Sequence, residues 1–136
     1  MKATLALAVA ATLAGQVRAG GELVKFPENY AEGVLYAAVK RGNIKEEVFT
    51  SRAAIDAVRR GQPIPSGTVI TLVDYRDGKL FRYVVMEKRN GEWEYQAFRA
   101  DKSVNDKEDL SRCFSCHKPK AQQDFVFTFN QMKSVK

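Results

Sequence analysis

Residues 68–98 read TVITLVDYRDGKLFRYVVMEKRNGEWEYQAF, and this stretch decides the fold. Asp77-Gly78 and Asn90-Gly91 each stand between runs rich in β-branched and aromatic residues, and both dipeptides suit a two-residue type I′ turn. Two tight hairpins in succession make an antiparallel meander. Turns of that length also set a register, in which Arg76 pairs with Lys79 and Arg89 with Glu92. Followed inward, the ladders place Leu72 opposite Tyr83 and Tyr83 opposite Phe98. Alternation then predicts one face with Ile70, Leu72, Phe81, Tyr83, Val85 and Phe98, and another with Val69, Val73, Val84, Met86, Trp93 and Tyr95. Both faces are apolar, so both need a cover.

Working outward, GVLYAAV before the meander reads as a strand with Val34, Tyr36 and Ala38 on one side. Ser51 can cap a helix over residues 51–60, with Ala54, Ile55 and Val58 on its buried face and Gly61 and Pro63 as stop signals. The irregular stretch from Gly20 to Asn29 reads as a lead-in arm. After Phe98 the chain turns polar, and Asn105 or Asp106 can cap a short helix that runs into the cysteines. DFVFTF, residues 124–129, alternates and is predicted to be a last strand. The fold class is therefore α+β, a mainly antiparallel sheet with a few short helices. At 136 residues the chain fits one domain able to bury a core without disulfides.

The amino terminus, MKATLALAVAATLAGQVRAG, has the layout of an export signal, with Lys2 leading an apolar run that ends at Val17-Arg18-Ala19. Cleavage after Ala19 would leave a mature domain over residues 20–136, outside the cytoplasm and by expectation periplasmic. Loss of Lys2 and Arg18 lowers the net charge from +6 to +4, since 20 basic residues then face 16 acidic ones. The basic residues are scattered and lack an aromatic-interleaved face, so neither nucleic acid nor a membrane is expected as a partner.

The chain holds two cysteines and one histidine, and all three lie in RCFSCHKPK, residues 112–120. Cys113, Cys116 and His117 match the attachment geometry of a covalent c-type haem, one per chain: two thiols for the vinyl groups and an adjacent imidazole as proximal iron ligand. A zinc site would need a fourth ligand that only a carboxylate could supply. A thioredoxin-like pair is expected in a βαβ unit, not after a meander. A plain disulfide remains open, although it leaves His117 unexplained. Haem would also cover a face of the sheet: the face with Leu72, Tyr83 and Phe98 reads as a haem wall, with ordinary core as the alternative.

With a single histidine, bis-histidine ligation within the chain is excluded. Of the methionines outside the signal, the register turns Met86 away from Leu72, and Met132 sits in the polar tail QMKSVK, which reads as frayed. The expected iron is five-coordinate, with an apolar open side suited to small gases. Electron transfer through a sixth ligand, Met132, is the competing outcome.

FPENY, PSGTVITLV, VVMEKRNGEW and CFSCHKPKAQQDFVFT together resemble the cytochrome P-460 family over nearly all of residues 25–129. The resemblance implies a mostly antiparallel β fold, usually a homodimer, with one c-type haem per subunit in the periplasm. The family includes hydroxylamine-oxidising members whose haem is cross-linked to a lysine. It also includes cytochromes c′-beta, which lack the link and bind nitric oxide and carbon monoxide under an aromatic cap. The cross-linking position falls on Leu72, and no lysine occurs between Lys45 and Lys79. That departure favours the c′-beta kind over hydroxylamine or nitric oxide oxidation, which stays as the enzyme alternative. Candidates for the aromatic cap are Phe49, Tyr36, Phe81, Tyr83 and Phe98. The redox partner protein, if one exists, is left open.

Overall fold

The computed structural model describes residues 24–136; the expected export signal, residues 1–19, lies outside the described residues. Five strands form one antiparallel sheet in sequence order: β1 Val34–Arg41, β2 Ile44–Thr50, β3 Val69–Arg76, β4 Lys79–Arg89 and β5 Glu92–Arg99. The helices are α1 Arg52–Arg59, α2 Leu110–His117 and α3 Phe129–Ser134, with a one-turn 3-10 segment at Tyr30–Glu32 and a longer one, kinked at Lys120, at Lys118–Gln123. The α+β architecture matches the expectation. Among the described residues no helix is long and apolar enough to cross a membrane.

Both expected hairpin turns are present. Asp77 and Gly78 have φ of 51° and 74°, and Asn90 and Gly91 have 50° and 83°, the paired left-handed geometry that matches strand twist. α1 is capped as its sequence predicts, the Ala54 amide donating to Ser51 Oγ at 3.2 Å. β2 escaped the sequence reading because IKEEVFT carries few apolar residues. Its signal was Gly42-Asn43, the two-residue turn joining Arg41 to Ile44, with Gly42 at φ 59°. The cap of α2 is Asp109, whose carboxylate accepts from the Ser111 amide at 3.1 Å, and neither Asn105 nor Asp106.

The predicted register is right at both turns and wrong in the body of β3–β4. Arg76 pairs with Lys79 and Tyr83 with Phe98, yet Leu72 faces Val84 and Val73 faces Tyr83. The cause is a β-bulge: Tyr75 pairs with Leu80 and Asp74 with Arg82, so Phe81 has no partner. One extra residue reverses which side every following side chain takes. The bulge is held by charge. Asp74 is fully buried and accepts from Arg76 Nη2 at 3.0 Å and Arg82 Nε at 3.2 Å. The exposed Phe81 ring lies 4.8 Å from the Arg76 guanidinium and 5.7 Å from that of Arg82.

Hence the two faces differ from those expected. One carries the cross-strand rows Ile70, Met86, Tyr95 and Val48, Leu72, Val84, Ala97. It is covered by α1, α3 and the region of Cys113, with Ile55, Val58, Val126 and Met132 in its core. The other carries Val73, Tyr83, Val85 and Phe98 beneath the lead-in arm. There Phe26 packs edge-on against Tyr83 at 4.9 Å and Phe98 at 5.3 Å, while Tyr30 meets Phe49 at 5.2 Å.

Two further expectations fail. Residues 124–129 are not a strand, because Asp124 and Phe125 adopt φ of 51° and 59° and the chain enters α3 at Phe129. Met132 is no frayed end: it lies in α3 with no exposed surface.

Candidate functional site

Cys113, Cys116 and His117 all lie on α2, and both cysteines are free thiols. A helix places positions i and i+3 on one side, so the two sulfurs share a face and the imidazole follows directly. Cys113 is half-buried against the core and Cys116 is exposed. Burial pushes the Cys113 thiol up, assisted by Glu108 and opposed by Arg82. Beside the thiols a cavity of about 510 Å³ is lined by Arg82, Val84, Ala97, Glu108, Arg112 and both cysteines.

His117 is oriented by the backbone. Its Nδ1–H donates to the Phe125 carbonyl at 2.6 Å, and since a carbonyl only accepts, this hydrogen bond leaves Nε2 as the free nitrogen. Burial lowers the His117 pKa, with the hydrogen bond acting in the opposite direction. The ring is wedged between Tyr95, at 5.2 Å, and Phe127, at 4.9 Å and edge-on.

Tyr95 is 2 % exposed, and its hydroxyl has no hydrogen-bond partner among the described residues. Burial raises its pKa, and the neighbouring Cys113 and Cys116 add to the effect. A buried hydroxyl left unpaired is costly, and here it stands where the thiols and the imidazole meet. Paired thiols, an imidazole with Nε2 free, a cavity beside them and an orphaned hydroxyl together form a donor set that fits a covalently held haem. Cys113 and Cys116 would hold it and His117 would ligate its iron.

The remaining predicted residues separate by face. Leu72 is on the face of the thiol helix: it packs against the same core as Cys113, and its cross-strand partner Val84 and Val84's own partner Ala97 line the cavity beside the cysteines. Tyr83, Phe98 and Phe49 are on the far face, packed with Phe26 and Tyr30, so the grouping of Leu72 with Tyr83 and Phe98 as one wall does not hold. Phe81, at the bulge, is engaged by two arginines. Tyr36 is buried on the near side, its hydroxyl 2.7 Å from Thr128 Oγ1 and its pKa pushed up to about 12 by burial. With Leu35 and Phe127 it lines a cavity of about 630 Å³.

The register change also revises the methionines. Met86 shares the face of Leu72, so the argument that turned it away falls, and it is buried in the same core as Met132. Lys45 pairs with Tyr75 and bonds Glu47 at 2.5 Å on the far face. Lys88 is on the near face but bound to Asp124 at 2.6 Å. A larger cavity, about 730 Å³ and lined by Phe26, Tyr30, Phe49, Val69 and Thr71, opens away from the cysteines. Sequence reasoning missed Tyr95, Phe127 and the Phe125 carbonyl. Nothing in their spacing marks them: Tyr95 meets His117 from β5, and the Phe125 carbonyl and Phe127 return to it through the left-handed turn at Asp124 and Phe125.

Residues 27–128 match the family described as Cytochrome P460. No curated protein matches the chain.

Proposed function

The chain belongs to the cytochrome P460 family, a haem-binding family, and on that premise we propose that it is a periplasmic monohaem c-type cytochrome that binds small gases. Cys113 and Cys116 form the two thioether bonds, and His117 is the proximal ligand through Nε2. The haem iron, when bound, supplies an open coordination position for nitric oxide or carbon monoxide. The export signal directs the chain to the periplasm, where such attachment takes place, and a homodimer is the assembly the family resemblance implies.

The observation that carries this reading is the placement of Leu72. It lies on the sheet face that the thiol helix covers, in a row with Val48, Val84 and Ala97. That row itself offers neither an amine to form a third covalent link nor a donor to activate oxygen species; the polar groups Arg82, Lys107 and Arg112 line the cavity beside the cysteines. Lys45 is engaged with Glu47 and Lys88 with Asp124, and Lys107, at the cavity beside the cysteines, lies on the loop before α2 and not on the strand of Leu72. These facts favour the c′-beta kind over hydroxylamine oxidation. Met86 and Met132 are buried in the protein core, which supports core packing over a sixth-ligand role and so weighs against simple electron transfer.

The test is purification from a host able to mature c-type cytochromes, followed by intact mass and ferrous spectra with and without carbon monoxide. One haem bound through two thioethers, and a spectrum that shifts on adding carbon monoxide, is the expected result. A ferrous spectrum insensitive to carbon monoxide would refute the open site, and a third covalent link would restore the oxidase reading.

A further inference from the structure

Between the thiol helix and α3, Asp124 and Phe125 both adopt left-handed backbone, with φ of 51° and 59°. An aspartate tolerates that region, but a phenylalanine does not enter it unsupported. The support comes from across the sheet. Asp124 Oδ2 accepts from Lys88 Nζ at 2.6 Å, and Oδ1 accepts from Trp93 Nε1 at 3.2 Å. Lys88 Nζ also donates to the Ile64 carbonyl at 3.0 Å, and its side chain is only 9 % exposed. An ammonium buried that deeply needs its counter-charge, so the carboxylate is held firmly. Lys88 and Trp93 are cross-strand partners on β4 and β5, so both donors come from one rigid hairpin.

The carbonyl that follows this anchored carboxylate is that of Phe125, the acceptor of His117 Nδ1–H at 2.6 Å. We infer that Lys88, Asp124 and Trp93 are positioning residues for the proximal imidazole: they fix the Phe125 carbonyl and thereby set how strongly His117 donates to iron. The inference rests on the reading of His117 as proximal ligand. A strong hydrogen bond from Nδ1–H leaves more electron density on Nε2, which strengthens the bond to iron and favours the ferric state. Loosening the turn weakens that hydrogen bond and reverses both effects. A role confined to stability would leave them untouched.

The experiment compares holoprotein of the wild type, Asp124→Asn and Trp93→Phe by resonance Raman of the ferrous iron–histidine stretch and by reduction potential. Amide exchange at residues 125 and 126 reports the turn itself. Expected in Asp124→Asn are faster exchange, a lower stretching frequency and a higher potential, with both thioethers intact by mass. Trp93→Phe, which leaves Lys88 on the carboxylate, should show the same changes at smaller size, and it carries the test should Asp124→Asn fail to fold. Faster exchange with frequency and potential unchanged overturns the inference, as does an unloosened turn. A wild-type ferrous holoprotein that is five-coordinate and high-spin yet lacks an iron–histidine band instead removes the ligand reading, and this inference with it.

Discussion

Replacing Met132 separates two roles that its sequence position cannot distinguish. The side chain has no exposed surface and shares its cluster with Ile55, Val58, Ile70 and Val126. Truncating a methionine at such a site costs roughly 2–5 kcal/mol, the larger values where the neighbours cannot collapse into the space. Apart from Val126, just before α3, the neighbours here belong to the sheet and to α1, which constrain each other, so Met132→Ala should cost about 3–4 kcal/mol. For a domain of this size that lowers Tm by roughly 12–16 °C. Met132→Leu keeps the volume and removes the sulfur, and should cost less than about 1.5 kcal/mol. Thermal unfolding of the holoproteins followed by circular dichroism gives the first pair of numbers, and ferric and ferrous optical spectra give the second. The core reading expects a large Tm loss in Met132→Ala and wild-type spectra in Met132→Leu. A Met132→Ala protein as stable as wild type would refute the packing argument, and an altered spectrum in Met132→Leu would assign the sulfur to iron.

Asp74→Ala should destabilise the protein by about 3 kcal/mol, the low end for a broken buried ion pair, since Arg76 and Arg82 keep partial access to water; urea denaturation that finds less than about 0.5 kcal/mol would contradict this. Tyr95→Phe should leave the haem-free protein as stable as wild type or slightly more so, because it removes an unpaired buried hydroxyl. A loss on the same substitution confined to the haem-loaded protein would reveal the partner that the hydroxyl acquires there. Ser103 holds the carboxyl of Asp101 below its ordinary pKa, and Arg99 does the same for Asp106. A carboxyl held below its ordinary value contributes stability that is present above the ordinary carboxylate range and is lost as pH falls through the depressed folded-state value, so residues 99–106 should loosen as pH is taken below about 4. Amide exchange in that loop that is flat over that fall in pH, once corrected for the intrinsic rate, would argue against it.

The meander was legible because Asp77-Gly78 and Asn90-Gly91 are local signals whose geometry requires left-handed residues. The α1 cap at Ser51 was legible for the same reason. The thiol helix and the single histidine could be read because haem attachment needs groups adjacent in sequence. What could not be read depends on contacts distant in sequence. The bulge at Phe81 exists because a buried Asp74 recruits two arginines, and alternation carries no trace of that. The turn at Asp124 exists because Lys88, 36 residues earlier, anchors it, so DFVFTF keeps a strand's alternation without being one. The misplacement of Tyr83 and Phe98 beside Leu72 follows from the single missed residue at the bulge.

That unpaired Phe81 makes the near side of β4 depend on parity. Any segment swapped into this chain that keeps five residues between the Asp77-Gly78 turn and Val84 but loses the bulge would turn the sheet inside out, whereas a four-residue segment would reach the same Leu72–Val84 pair without one. In the first case Tyr83 and Val85 would come under the thiol helix, and Val84 and Met86 under Phe26. Grafts and alignments across this strand should therefore be anchored on the aspartate and its two guanidinium partners, with hydrophobic spacing as the secondary guide.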